Sequence, residues 1–125
     1  MTTWQTFVLA LIMQESGGNN LAIGDNGAAH GPLQIHKCCV DDVNKYRKAR
    51  GWKPYKFPSD CYDRQKSESI LTTYLHLYAN EKRLGRKPTV EDYARIWNGG
   101  PNGYKRKATV KYWEKLKNDN PEPRK

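Results

Sequence analysis

Glu15, in Gln14-Glu15-Ser16-Gly17-Gly18, is the side chain in this sequence best placed to do chemistry. A carboxyl group that holds its proton near neutral pH can hand it to a leaving oxygen and take one back. Trp4, Phe7, Val8, Leu11 and Ile12 recur at the spacing of one helical face, and Glu15 continues that face four residues after Leu11. A carboxylate on a core-facing stripe loses solvation, which raises its pKa. The negative end of its own helix, closed by Gly17-Gly18, pushes the same way. The other reading of the same spacing is a helix that frays by residue 15 and turns Glu15 to water. Asp25, in Gly24-Asp25-Asn26-Gly27, is the one nearby carboxylate in sequence that could act as a second group. It is that, or it is a turn residue that bonds the backbone two residues on. His30 and His36 flank the same loop and read as surface or packing residues.

The elements that must hold these groups are helical. The first helix runs from Thr2 or Thr3 to about Ser16. Residues 17–36, rich in Gly, Asn and Asp, form an irregular loop or short hairpin, anchored by Ala22-Ile23 and Leu33-Ile35. A loop of that length in a small domain is usually functional. A second helix covers Cys39 to Arg50, and Trp52 to Ser59 is a packed loop. Ser59 or Asp60 caps a long third helix to about Leu84, before Gly85. A fourth helix starts at Thr89-Val90-Glu91-Asp92, with Val90, Tyr93, Ala94 and Trp97 as its apolar face, and breaks at Asn98-Gly99-Gly100-Pro101. A last helix from about Lys105 to Lys117 turns Thr109, Tyr112, Trp113 and Leu116 inward. The expected fold is mainly α, α+β at most, with about five helices around one core. It forms a single domain over residues 1–118 with a loose tail at 119–125.

The chain has 125 residues, enough for one domain with a real core. Its 22 basic and 13 acidic residues leave a net charge of +9, which suits a polyanionic partner such as nucleic acid, a membrane surface or an anionic wall polymer. Three cysteines, Cys38, Cys39 and Cys61, are an odd number and no disulfide framework; one bridge to Cys61 would leave a free thiol. Their spacing with the histidines matches no zinc pattern. The apolar run Phe7 to Met13 is too short to span a membrane, and its flanks are not those of a signal peptide.

Three pieces, in this order and approximate spacing, resemble one superfamily. They are Glu15-Ser16-Gly17, then Gly31-Pro32-Leu33-Gln34-Ile35, then Ala94-Arg95-Ile96-Trp97-Asn98-Gly99-Gly100. The chain is similar to the soluble lytic transglycosylases and goose-type lysozymes, which have a lysozyme-like fold and cleave peptidoglycan. The resemblance covers residues 7–115. It implies that Glu15 is the catalytic acid and that Ser16 lines the site. It further implies that Gln34 contacts the sugar and that Asn98 supports the Glu and the substrate. Tyr104 is the nearest candidate for a tyrosine set against the Glu, with Tyr112 behind it. Trp97 stands where the family usually has Tyr, which keeps the packing role and removes a hydroxyl. The Gly-Asp-Asn-Gly loop lies closer to the Glu than its goose-type counterpart. Those enzymes also carry a further Asp roughly where this chain has His36.

The expected reaction is cleavage of the β-1,4 bond between N-acetylmuramic acid and N-acetylglucosamine, with no cofactor and no metal. A hydrolase would use a second carboxylate, Asp25, to hold a water. A lytic transglycosylase would let the muramic 6-hydroxyl attack and would need none. The expected partner is peptidoglycan, met by a monomer at the bacterial cell wall. Release of the phage type, carriage on a virion or loss of a leader are the routes left open. The rival class is a basic non-enzymatic binder of nucleic acid or cell wall. Lys45, Arg47, Lys48 and Arg50 form one charge cluster and Tyr104-Lys105-Arg106-Lys107 another. Trp52, Tyr55 and Trp97 could stack on sugar rings.

Overall fold

A computed structural model describes residues 3–120. It is mainly helical with one two-stranded antiparallel sheet, as the residue pattern predicts. Contacts divide the chain into two compact units, Ile12–Tyr74 and Met1–Leu11 with Leu75–Lys125. Among the described residues no helix is long and apolar enough to cross a membrane.

Helix α1 (Thr3–Ser16) ends where Gly17, at φ 65°, donates its N–H to the Met13 carbonyl. Glycine takes this left-handed position without a Cβ penalty, so the helix stops directly after Ser16. Thr2, the other proposed cap, lies outside the described residues. Strands β1 (Ile23–Gly24) and β2 (Ala29–His30) pair antiparallel, with Ile23 opposite His30 and Gly24 opposite Ala29. The anchors behave as expected at Leu33 and Ile35, which are buried, whereas Ile23 is exposed. Helix α2 (Lys37–Ala49) starts two residues earlier than the sequence predicts, with His36 as its cap residue in extended conformation. Helix α3 (Arg64–Tyr78) packs Ile70, Leu71 and Tyr74 inward. With Ile12, Leu33, Ile35, Val40, Val43 and Cys61 these side chains make the core of the Ile12–Tyr74 unit.

The long third helix is in fact three pieces. Residues 59–62 form a 3₁₀ turn, Asp63 accepts from the Lys66 N–H at the start of α3, and the helix stops at Tyr78. Asn80 then caps α4 (Glu81–Leu84) by accepting from the Arg83 N–H. Its Nδ2 donates to the carbonyls of His76 and Leu77. One asparagine thus closes one helix and opens the next, a competition with the helix ladder that a continuous apolar stripe hides.

Helix α5 (Val90–Gly99) opens with a capping box between Thr89 and Asp92. Its buried residues are Asp92, Ala94 and Ile96, while Val90 is exposed and Tyr93 and Trp97 are half-buried. The expected face was therefore displaced toward Ile96. Trp4, Phe7 and Tyr93 form an aromatic cluster with centroids 5.5–6.1 Å apart. Two 3₁₀ turns, 103–105 and 107–109, precede α6 (Val110–Asp119). The last helix thus starts later than predicted and reaches into the expected tail; residues 121–125 lie outside the described residues. Thr109 and Leu116 are buried and Tyr112 and Trp113 half-buried, as their spacing predicts.

Candidate functional site

Glu15 sits half-buried in the last turn of α1. Ser16 closes the helix beside it: its Oγ donates to the Ile12 carbonyl at 3.0 Å and accepts from the Gly18 N–H at 3.2 Å. Ser16 therefore fixes the backbone on which Glu15 stands. Just beyond, Arg64 reaches back across the chain. Its Nη2 donates to the Gly18 carbonyl at 3.0 Å and, together with Nε, to Asn20 Oδ1. A guanidinium against the carbonyl end of α1 is favourable electrostatically as well. No local pattern announces Arg64, because its partners lie more than forty residues away.

The loop bearing Asp25 is left-handed over consecutive residues. Asp25, Asn26 and Gly27 have φ of 48°, 55° and 93°, and the Ala28 N–H returns to the Asp25 carbonyl at 3.1 Å. Asp25 is thus a turn residue by its main chain. Its carboxylate does something else: Oδ2 lies 2.9 Å from His36 Nε2. His36 makes no side-chain cap on α2, so its ring is turned to Asp25 instead. The two side chains are 67% and 44% exposed, an open pair within reach of solvent.

Gln34, also left-handed at φ 52°, spends its amide nitrogen on the loop. Nε2 donates to the carbonyls of Gly31 at 3.0 Å and Ala22 at 3.2 Å. A Cβ on Gly24 would fall 2.2 Å from Gln34 Oε1, so the strand passes directly over the amide. Gly31, at φ 84°, approaches the Cys61 carbonyl so closely that a Cβ would sit 1.8 Å from it. The Gly31–Ile35 motif is thereby explained by packing: glycine for close approach, glutamine to brace the hairpin. His30 is a packing residue as expected, with Nδ1 2.7 Å from the Tyr62 hydroxyl and its ring edge-on to Phe57.

All three cysteines are free thiols; Cys38 is exposed, Cys39 and Cys61 are buried. Burial first, then the neighbouring charge of Asp60, pushes the Cys61 thiol up to about 11. Among the described residues no cluster of His, Cys, Asp and Glu is arranged to hold a metal.

In the other unit, Asn98 is exposed at the end of α5, with Trp97 half-buried beside it. The surrounding motif is held by Arg95, whose Nε donates to Thr109 Oγ1 at 2.8 Å and whose Nη2 donates to the Arg106 carbonyl at 2.9 Å. Gly99 and Gly103 are small because Thr109 Cγ2 and the Arg95 carbonyl press on them. Tyr104 is half-buried on the turn that follows, between Arg83 and Lys105, each under 6 Å from its ring centre. Arg83 also donates to the carbonyls of Tyr78 and Pro101 and to Asn102 Oδ1. A cavity of about 630 Å³ in this unit, among Phe7, Ala10, Trp113 and Leu116, has no carboxylate in its lining.

Residues 6–119 match the model of the Destabilase family. The chain is also similar to solved lysozymes. Against the lysozyme of Tapes japonica the TM-score is 0.73 at 28% identity, covering 90% of this chain and 87% of that one. Against the inhibitor-bound lysozyme of Meretrix lusoria it is 0.75 at 26% identity, covering 91% and 88%. No curated protein matches the chain. The likeness to lysozymes read from the three motifs stands at the level of fold, and the matching family model is not that of the lytic transglycosylase and goose-type group. The chain belongs to the Destabilase family and, with its lysozyme relatives, is a lysozyme-like glycosidase.

Proposed function

We propose that this protein hydrolyses the β-1,4 bond between N-acetylmuramic acid and N-acetylglucosamine in peptidoglycan, with Glu15 as general acid and Asp25 as the second carboxylate. The observation that carries the choice of Asp25 is the His36 contact. A carboxylate serving only its turn would bond the backbone of that turn; this one points outward and is held by an imidazole. Glu15 gives its proton to the departing O4 as the muramic ring becomes an oxocarbenium-like cation. Asp25 takes a proton from the water that bonds to the anomeric carbon. Such a pair needs carboxylates roughly 6.5–9.5 Å apart in the substrate complex. Ser16 and Gln34 act by holding the backbone on either side of the pair. Asn98, Trp97 and Tyr104 are proposed to contact sugar.

Lytic transglycosylation is the second reading, supported by the motif resemblance. It differs in the attacking oxygen, the muramic 6-hydroxyl, and leaves Asp25 without a chemical task. Mass spectrometry of sugars released from purified peptidoglycan separates the two. Reducing muramic ends are expected; 1,6-anhydro ends would move the assignment to transglycosylation. The action is placed at the bacterial wall by its substrate, the protein working as a monomer without nucleic acid.

A further inference from the structure

Between Asp42 and Asp60 the sequence holds six Lys or Arg and no acid. Lys56 faces Asp60. The other five, Lys45, Arg47, Lys48, Arg50 and Lys53, have no carboxylate partner among the described residues. Elsewhere among the described residues Lys37, Lys66, Arg86, Arg95, Lys115 and Lys117 are in ion pairs, while the cluster Lys105-Arg106-Lys107 is not. Five uncompensated cations on the end of one helix and the loop after it repel one another, at a cost to the fold.

The loop that carries them is nonetheless tightly built. Asn44 clamps Tyr55 from both sides, accepting from its N–H at 2.8 Å and donating to its carbonyl at 2.9 Å. Arg47 Nε donates to the Lys53 carbonyl at 2.7 Å, and the Trp52 N–H returns to the Arg47 carbonyl at 2.9 Å. The Arg47 guanidinium stacks 4.2 Å from the Tyr55 ring centre and 5.7 Å from that of Trp52. Arg50 lies 3.6 Å over Tyr46, which meets Trp52 edge-on. Trp52 stays 51% exposed at the centre of this arrangement. The result is a hydrogen-bonded platform with a half-open indole, the Arg47 guanidinium beside it and the other four cations on the same stretch of chain.

We infer that this platform is a second binding site, for an anionic polysaccharide whose charge is phosphodiester, of the kind carried by bacterial walls. An indole face takes the apolar face of a sugar ring, and the surrounding guanidinium and ammonium groups take the phosphates. A base stacked on Trp52 with phosphates on the same cations is the nucleic-acid alternative. The sugar polymer is favoured because the enzyme's substrate is a wall glycan; this choice of ligand rests on the proposed function. The platform acts as an anchor: it raises the time spent on the wall without touching the bond that is cut.

Cosedimentation with purified Gram-positive sacculi tests this. One set keeps its covalently attached phosphodiester polymers and the other is stripped of them with hydrofluoric acid. Lys45→Gln/Lys48→Gln/Lys53→Gln removes three exposed charges without disturbing the clamp; Trp52→Ala removes the stacking face. Unstripped sacculi are expected to bind the wild type about tenfold more tightly than the triple variant, since single exposed charge pairs are each worth little. On stripped sacculi the two should bind equally, and cleavage of a soluble uncharged chito-oligosaccharide should be unchanged. Equal binding of wild type and triple variant to unstripped sacculi overturns the proposal. So does single-stranded DNA displacing the protein at lower phosphate concentration than free poly(glycerol phosphate) does. Sedimentation requires no turnover, so platform-dependent binding without any sugar release would sink the proposed reaction and leave the anchor standing.

Discussion

His36 Nε2 stands 2.9 Å from Asp25 Oδ2, joining the cap of α2 to the left-handed turn between β1 and β2. The pair gives Asp25 a fixed direction on a loop that is otherwise open to solvent. Asp25→Asn is expected to lower sugar release from peptidoglycan by about 10²-fold or more, the usual scale of a lost acid–base group. His36→Ala should cost only about fivefold or less, because an exposed pair contributes roughly 0.2–1 kcal/mol. His36→Gln, which can still donate, should lie between it and the wild type. Initial rates of reducing-end release measure all three. A His36→Ala loss as large as that of Asp25→Asn would make the imidazole itself the proton carrier.

Glu15→Gln keeps the shape of the side chain and removes its proton. Sugar release should fall to background while the melting temperature stays within about two degrees, since a half-buried isosteric change is usually mild. Residual lysis above a few per cent would unseat Glu15 as the acid.

Arg64 ties the chain beyond Glu15 to the start of α3 through Gly18 and Asn20. Arg64→Ala should raise amide exchange in residues 17–22 and reduce turnover about tenfold, as bonds to a charged donor are worth about 1.5–3 kcal/mol. Arg64→Lys should recover little, because one ammonium cannot span both partners. Exchange measured by mass spectrometry decides it: unchanged protection in that segment with lost activity would assign Arg64 to substrate rather than to the loop.

Asp92 is buried in the first turn of α5, where it meets Arg86 and both the N–H and the hydroxyl of Thr89. Burial pushes its carboxyl up, but the bonds from Arg86 and Thr89 outweigh that and hold it below the ordinary value. A group depressed in the folded state contributes stability above its unfolded pKa, about 3.9, and loses it as pH falls through the folded value. Chemical denaturation should therefore show stability falling as the pH drops below about 4. Asp92→Asn should lie on the order of 2 kcal/mol lower at neutral pH, with a flatter acid limb. Parallel curves for the two proteins would remove Asp92 from the acid response.

The helices that could be read from sequence are those with a local stop and start: Gly17 after α1, the Thr89–Asp92 capping box, Gly85 after α4. The break at Asn80 was missed because its apolar neighbours keep a helical rhythm through a cap. In the site, Gln34 was legible as a motif residue, but its bonds to Ala22 and Gly31 depend on a hairpin whose register no pattern sets. His36 reads from sequence as a surface or packing residue, since nothing local links it to Asp25. Arg64 was unreadable for the same reason, its partners lying far off in sequence.

Asp25, Asn26 and Gln34 are the non-glycine residues of the described chain with positive φ; the first two share the turn between β1 and β2, and Gln34 lies on the turn after β2. Asp25 and Asn26 are exposed, so burial alone would rank them among the freely replaceable positions. Their backbone ranks them otherwise, since a β-branched side chain is disfavoured there and Asn, Asp and Gly are tolerated. Exposure and mutational tolerance thus come apart on this loop. Its sequence has less room to drift than its surface suggests, and a saturation library should find its narrowest alphabets on the outside of the molecule.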